Sequence, residues 1–163
     1  MEFYSLPGNR LGVREIPPLL AGLMRQIPGL FEQDCSAAED RLFPSPTQDP
    51  REEGLREDWK AHVEPELHAL FLSARQVVEA DLRGFQESGG NYTLEFPAAH
   101  AEAWLNALNQ ARICLAAQHH LEEAELSQAG PLAILCERDL ARLQIHFYAA
   151  LQQWLVEFLD TAA

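Results

Sequence analysis

Three features of the sequence predict a mainly α protein, a bundle-like single helical domain over residues 1–163 with a minor β-strand pair. Leucine and alanine dominate while Ile, Val and Thr are scarce, and unbranched side chains keep more rotamer freedom in a helix than β-branched ones do. Three long runs carry apolar residues at steps of three and four, the period of one helix face. Prolines, glycines and capping residues then separate those runs where helices should begin and end.

In chain order, Glu2 to Ser5 and Arg10 to Glu15 flank the turn Pro7-Gly8-Asn9 and read as strands. Pro17 to Ile27 carries Leu19, Leu20, Leu23 and Ile27 at helical spacing, is interrupted by Pro28-Gly29, and continues briefly through Phe31. Ser36-Ala37-Ala38-Glu39 has the form of a capping box opening a short turn. Pro44 to Pro50 is a rigid loop. Asp49-Pro50-Arg51-Glu52-Glu53 combines an N-cap, a first-turn proline and first-turn acids, and opens a helix ending near His62.

The first long stripe is Leu67, Leu70, Phe71, Ala74, Val77, Val78, Leu82 and Phe85, a helix from Pro65 to Gln86 that stops at Ser88-Gly89-Gly90-Asn91. Tyr92 to Phe96 alternates and is bounded by Gly89-Gly90 and Pro97, so it should join the earlier strands in a small antiparallel patch lying on a helix face. The second stripe, Trp104, Leu105, Leu108, Ala111, Cys114 and Leu115, belongs to a helix from Pro97 to Leu121. The third, Leu140, Leu143, Phe147, Leu151, Trp154 and Phe158, belongs to a helix from Pro131 to Asp160.

Charge narrows the function. Twelve basic residues, eleven of them arginine with Lys60 the one lysine, stand against 25 acidic ones for a formal charge of −13. Such a chain repels phosphates and anionic lipid, and no basic patch interrupts the acidic field, so neither nucleic acid nor membrane is an expected partner. The amino terminus lacks a basic and apolar leader pattern, and no run approaches the roughly 20 apolar residues of a membrane span. Cys35, Cys114 and Cys136 include no C-x-x-C pair and fit reduced thiols in a cytoplasmic protein.

Enzyme signatures are missing. No G-x-S-x-G elbow, phosphate-binding glycine loop or paired E-x-x-H motif occurs. His119-His120 with Glu122, Glu123 and Glu125 is rich in ligand types, but adjacent histidines diverge by about 100° unless the helix ends there. His62, Glu66 and His68 form a second loose set. Solvated helix ends are the preferred reading of both, and no cofactor or metal is assigned. On the helix from Pro97, Arg112 falls in line with Leu105, Leu108 and Leu115, with Asn109 three residues before it. A guanidinium in an apolar stripe needs a partner, and a carboxylate or helix-terminal carbonyls are expected to supply it. Trp59, Trp154 and Phe158 are candidates for an interface with a partner or a second copy.

Trp104-Leu105-Asn106-Ala107-Leu108-Asn109-Gln110-Ala111-Arg112 resembles the W-L-x-A-L-N-x-x-R signature of a bacterial domain-of-unknown-function family, number twenty-seventeen. Arg41-Leu42-Phe43-Pro44 ahead of Asp49-Pro50 is similar to its R-L-x-P stretch, and Tyr148-Ala149-Ala150-Leu151-Gln152-Gln153-Trp154-Leu155 to its closing Y-x-x-L-x-x-W-L helix. Gln110 departs from the acid found there in many members. The resemblance implies a mostly helical fold with no established activity; some members are encoded near the substrate adaptor of the Clp protease. The expected function is a non-enzymatic cytoplasmic interaction or regulatory protein, with a protein partner or self-association. Arg41, Asn109, Arg112 and Tyr148 are its candidate polar residues. The alternative is a small-molecule-binding or metal-dependent enzyme with a pocket between the long helices.

Overall fold

Side chains that alternate between two faces build the sheet first. A computed structural model describes residues 1–31, 36–127 and 136–162. Strands β1 (Glu2–Leu6), β2 (Arg10–Ile16), β3 (Gln86–Ser88) and β4 (Asn91–Pro97) pair antiparallel in the order β1-β2-β4-β3. Leu11 opposite Phe96 and Val13 opposite Leu94 form its buried face. On the outer face Gly12 lies between Tyr4 and Glu95. A Cβ at Gly12 would overlap the Tyr4 ring, which crosses this glycine so that the hydroxyl donates to Glu95 Oε1 at 3.1 Å. Register slips between Val13 and Ile16, where Glu15 takes a φ of 56°.

The strands expected at the amino terminus and at Tyr92 are therefore present, joined by one that was not expected. The preceding helix is expected to run to Gln86 and stop at Ser88; instead α4 (Glu64–Leu82) ends earlier at a tight turn, with Gly84 N–H donating to Asp81 O. Gly89 and Gly90, at φ 60° and 83°, then close a two-residue hairpin, the left-handed pair of angles that suits strand twist.

Helices cover the buried face. They are α1 (Pro18–Gln26), α2 (Ser36–Leu42), α3 (Glu53–His62), α4, α5 (Ala101–Gln118), α6 (Glu123–Leu126) and α7 (Glu137–Ala162), with 3-10 turns at Pro28–Phe31, Pro50–Glu52 and Ala98–His100. The carboxylate of Asp49 accepts from Arg51 N at 3.0 Å, the expected cap, although a 3-10 turn precedes α3. The capping contact expected of Ser36 and the helix start expected at Pro131 lie outside what is described. Helix α5 packs against α4, α7 and α2. Trp104, buried in the first turn of α5, lies 5.2 Å from the Phe96 ring.

The end of α5 shows how a non-glycine residue can stop a helix. Leu121 N donates to Ala116 O and His120 N to Ala117 O, with His120 at φ 50° and Leu121 buried. This is the double hydrogen bond of a Schellman cap, completed by its apolar contact. The helix thus ends at Gln118, with His119 as its C-cap and His120 just beyond it. Cys114 is disulfide-bonded, which corrects the expectation of a reduced thiol there, and Cys136 is free and exposed.

Candidate functional site

Uncovered apolar surface concentrates along α3 and the first half of α4. Val63 N donates to Trp59 O at 2.8 Å and Leu67 N to Val63 O at 3.0 Å, so the two helices run on almost as one. Pro65 interrupts the ladder because it has no N–H for Ala61 O, the ordinary cause of a kink. Leu55, Trp59, Val63, Leu67, Leu70, Ala74, Val78 and Leu82 then follow one another at steps of three and four. Ala74, Val78 and Leu82 are buried in the core. Leu55 and Leu70, by contrast, are each 51% exposed and Val63 41%. No residue of α3 is buried, and its main neighbours are α4 and the 3-10 turn ahead of it.

The four polar candidates are distributed over different places. Asn109 and Arg41 are exposed, and Arg41 borders an open depression with His120 and Glu122. Arg112 is half-buried between α5 and α7, where it donates to Gln152 Oε1 at 2.7 Å while Gln152 Nε2 donates to Leu105 O at 3.0 Å. Its partner is therefore an amide, where a carboxylate or a helix-terminal carbonyl was expected. Burial pulls the guanidinium below its ordinary value, and its Nε has no hydrogen-bond partner among the described residues. Tyr148 is fully buried and donates to Leu23 O at 2.8 Å; burial pushes its phenol well up. Trp59 is half-buried, Trp154 is 42% exposed, and Phe158 packs on the core 6.0 Å from Phe3.

Sequence reasoning missed several polar groups. Asp81, with only 8% of its side chain exposed, accepts from Trp104 Nε1 at 2.9 Å and contacts His100 Nδ1 at 3.0 Å. This clamp fixes the tryptophan of the W-L-x-A-L-N signature from the carboxyl end of α4. Gln144, Tyr148 and Gln152 lie four apart on the inward face of α7, a polar row visible in the sequence in retrospect. Gln110 is 1% exposed, and neither of its amide atoms has a partner among the described residues. Glu39, Glu64 and His68 bring one potential ligand atom each to within 4.8 Å of one another, a grouping that shares only His68 with the loose set His62, Glu66 and His68. No helix among the described residues is long and apolar enough to cross a membrane.

These elements define a mainly helical protein with a small four-stranded antiparallel sheet and an uncovered amphipathic rod. The chain belongs to the family described as Domain of unknown function (DUF2017), which matches residues 16–159. No curated protein and no solved structure matches it.

Proposed function

We propose that the chain is a single-domain, non-enzymatic, cytoplasmic interaction protein whose docking surface is the α3–α4 rod from Leu55 to Leu70. One observation carries this reading: a single apolar stripe is buried at Ala74, Val78 and Leu82 in its second half, while in its first half Leu55, Val63 and Leu70 are exposed and Trp59 and Leu67 only half-buried. Apolar side chains held in water at helical spacing match the anchors of a helix-in-groove or helix-on-helix contact. The flanks set the partner's charge. Between residues 51 and 66, Arg51, Arg56 and Lys60 are outnumbered by Glu52, Glu53, Glu57, Asp58, Glu64 and Glu66. A basic amphipathic helix is complementary, whereas a second copy of a chain carrying −13 brings like charge to the same face. The neighbourhood of Clp-type proteolysis implied by the family resemblance supplies one class of candidate partner.

The test compares affinity capture from the native cell by wild type and by Leu55→Glu/Leu70→Glu. Titration of the captured protein is then followed by Trp59 fluorescence, and light scattering on a sizing column reads oligomeric state. A partner bound by wild type and lost in the double variant is the expected result. Equal binding by both, or a strict monomer without any partner, overturns the reading, and a dimer dissolved by the substitutions assigns the surface to a second copy.

A further inference from the structure

We propose that Glu39, Glu64 and His68 form a binding site for a first-row divalent cation of the zinc type, joining α2 to α4. The donor set comes from two elements separated in sequence: Glu64 and His68 share one face of α4 at i and i+4, and Glu39 reaches them from α2. Their three ligand atoms lie within 4.8 Å of one another. Bonds of about 2.0–2.2 Å to a common ion would draw such donors to a little over 3 Å apart, a closure within reach of rotamer changes in partly exposed side chains.

The ring that matters most is already held. Phe43 stacks on the His68 imidazole with centroids 3.8 Å apart and planes inclined by 21°, and Phe43 itself packs 5.4 Å from Phe71. His68 Nε2 and Glu64 Oε1 are 3.9 Å apart, beyond hydrogen-bonding distance, so neither donor is committed to the other. Among the described residues no lysine or arginine forms an ion pair with Glu39 or Glu64, leaving two neighbouring carboxylates without a fixed cation. One imidazole with two carboxylates favours zinc, cobalt or nickel over calcium, which takes six to eight oxygens. Three protein ligands leave a coordination position for water.

Glu64 and His68 belong to the same rod, but the site uses none of its apolar anchors and its test reads metal binding alone, so its failure is distinguishable from failure of the docking reading. The experiment titrates zinc into the chelator-treated 163-residue chain by calorimetry and cobalt by visible absorption. Saturable binding of one ion per chain is expected, weakened at least about tenfold by His68→Gln and by Glu39→Gln and unchanged by His119→Gln. Folding of each variant is checked by its circular dichroism melt. The proposal falls if binding is not saturable, if it survives both substitutions, if His119→Gln removes it, or if the cobalt spectrum carries a thiolate charge-transfer band.

Discussion

Replacing Tyr148 by phenylalanine removes one oxygen and keeps the ring in its place. That oxygen has a specific task, because the last turn of α1 tightens and Ile27 N–H donates to Met24 O, leaving Leu23 O to accept from the Tyr148 hydroxyl at 2.8 Å. In Tyr148→Phe the carbonyl loses that partner in a region where Leu23 is 3% and Tyr148 0% exposed, a loss of about 1–3 kcal/mol. Alkali gives the prediction a second dimension. Burial raises the phenol above its ordinary 10.0, so above that pH the unfolded chain releases a proton that the folded chain keeps. Stability contributed by the protonated phenol is complete below pH 10 and declines above it, by up to about 1.4 kcal/mol per pH unit. The variant has no such group, so the gap between the two proteins should narrow as pH rises past 10. Urea unfolding followed by tryptophan fluorescence at pH values from neutral to about 11, with equal m-values, measures both effects. A gap below about 0.5 kcal/mol near neutrality, or one that stays constant through the alkaline range, refutes the assigned hydrogen bond or the burial of the phenol.

Two further expectations concern close packing and a buried charge. Gly12→Ala should cost about 1–3 kcal/mol, because the new methyl displaces the Tyr4 ring from its path to Glu95; in a Tyr4→Ala background most of that cost should vanish, and a double-mutant cycle without coupling would count against the packing. Gln152→Leu should destabilise by about 1–3 kcal/mol by depriving the Arg112 guanidinium of its acceptor, while Arg112→Met should change stability by less than about 1.5 kcal/mol. Denaturant melts of the two variants check the order, and a greater cost for Arg112→Met would reverse the argument.

Legibility in the sequence followed the range of the interaction. Periodicity and punctuation located α4, α5 and the described part of α7, because the information sits within a few residues. Tyr92 to Phe96 was readable as a strand from its alternation, but its neighbour Gln86–Ser88 is polar and wholly exposed, so it carries no alternating signal and is held only by pairing across Gly89-Gly90. The candidate site divides in the same way. Trp59, Leu67 and Leu70 announce an apolar face, yet whether that face is covered depends on what packs there. Asp81 gains its meaning from His100 and Trp104, 19 and 23 residues away, and Glu39 from a helix beginning at Glu64. Periodicity within single helices could not report such cross-element contacts.

The position of β2 inside the sheet bears on how the family region is handled as a separate polypeptide. The match begins at residue 16, whereas β2 ends at Ile16 and lies between β1 and β4. A fragment trimmed to 16–159 would discard β1 and nearly all of β2, uncovering Leu94 and Phe96 and turning an inner strand into a raw edge. Unprotected edges recruit strands from other molecules, so such a fragment should precipitate where the longer chain stays dispersed. What defines kinship here is shorter than what closes the sheet.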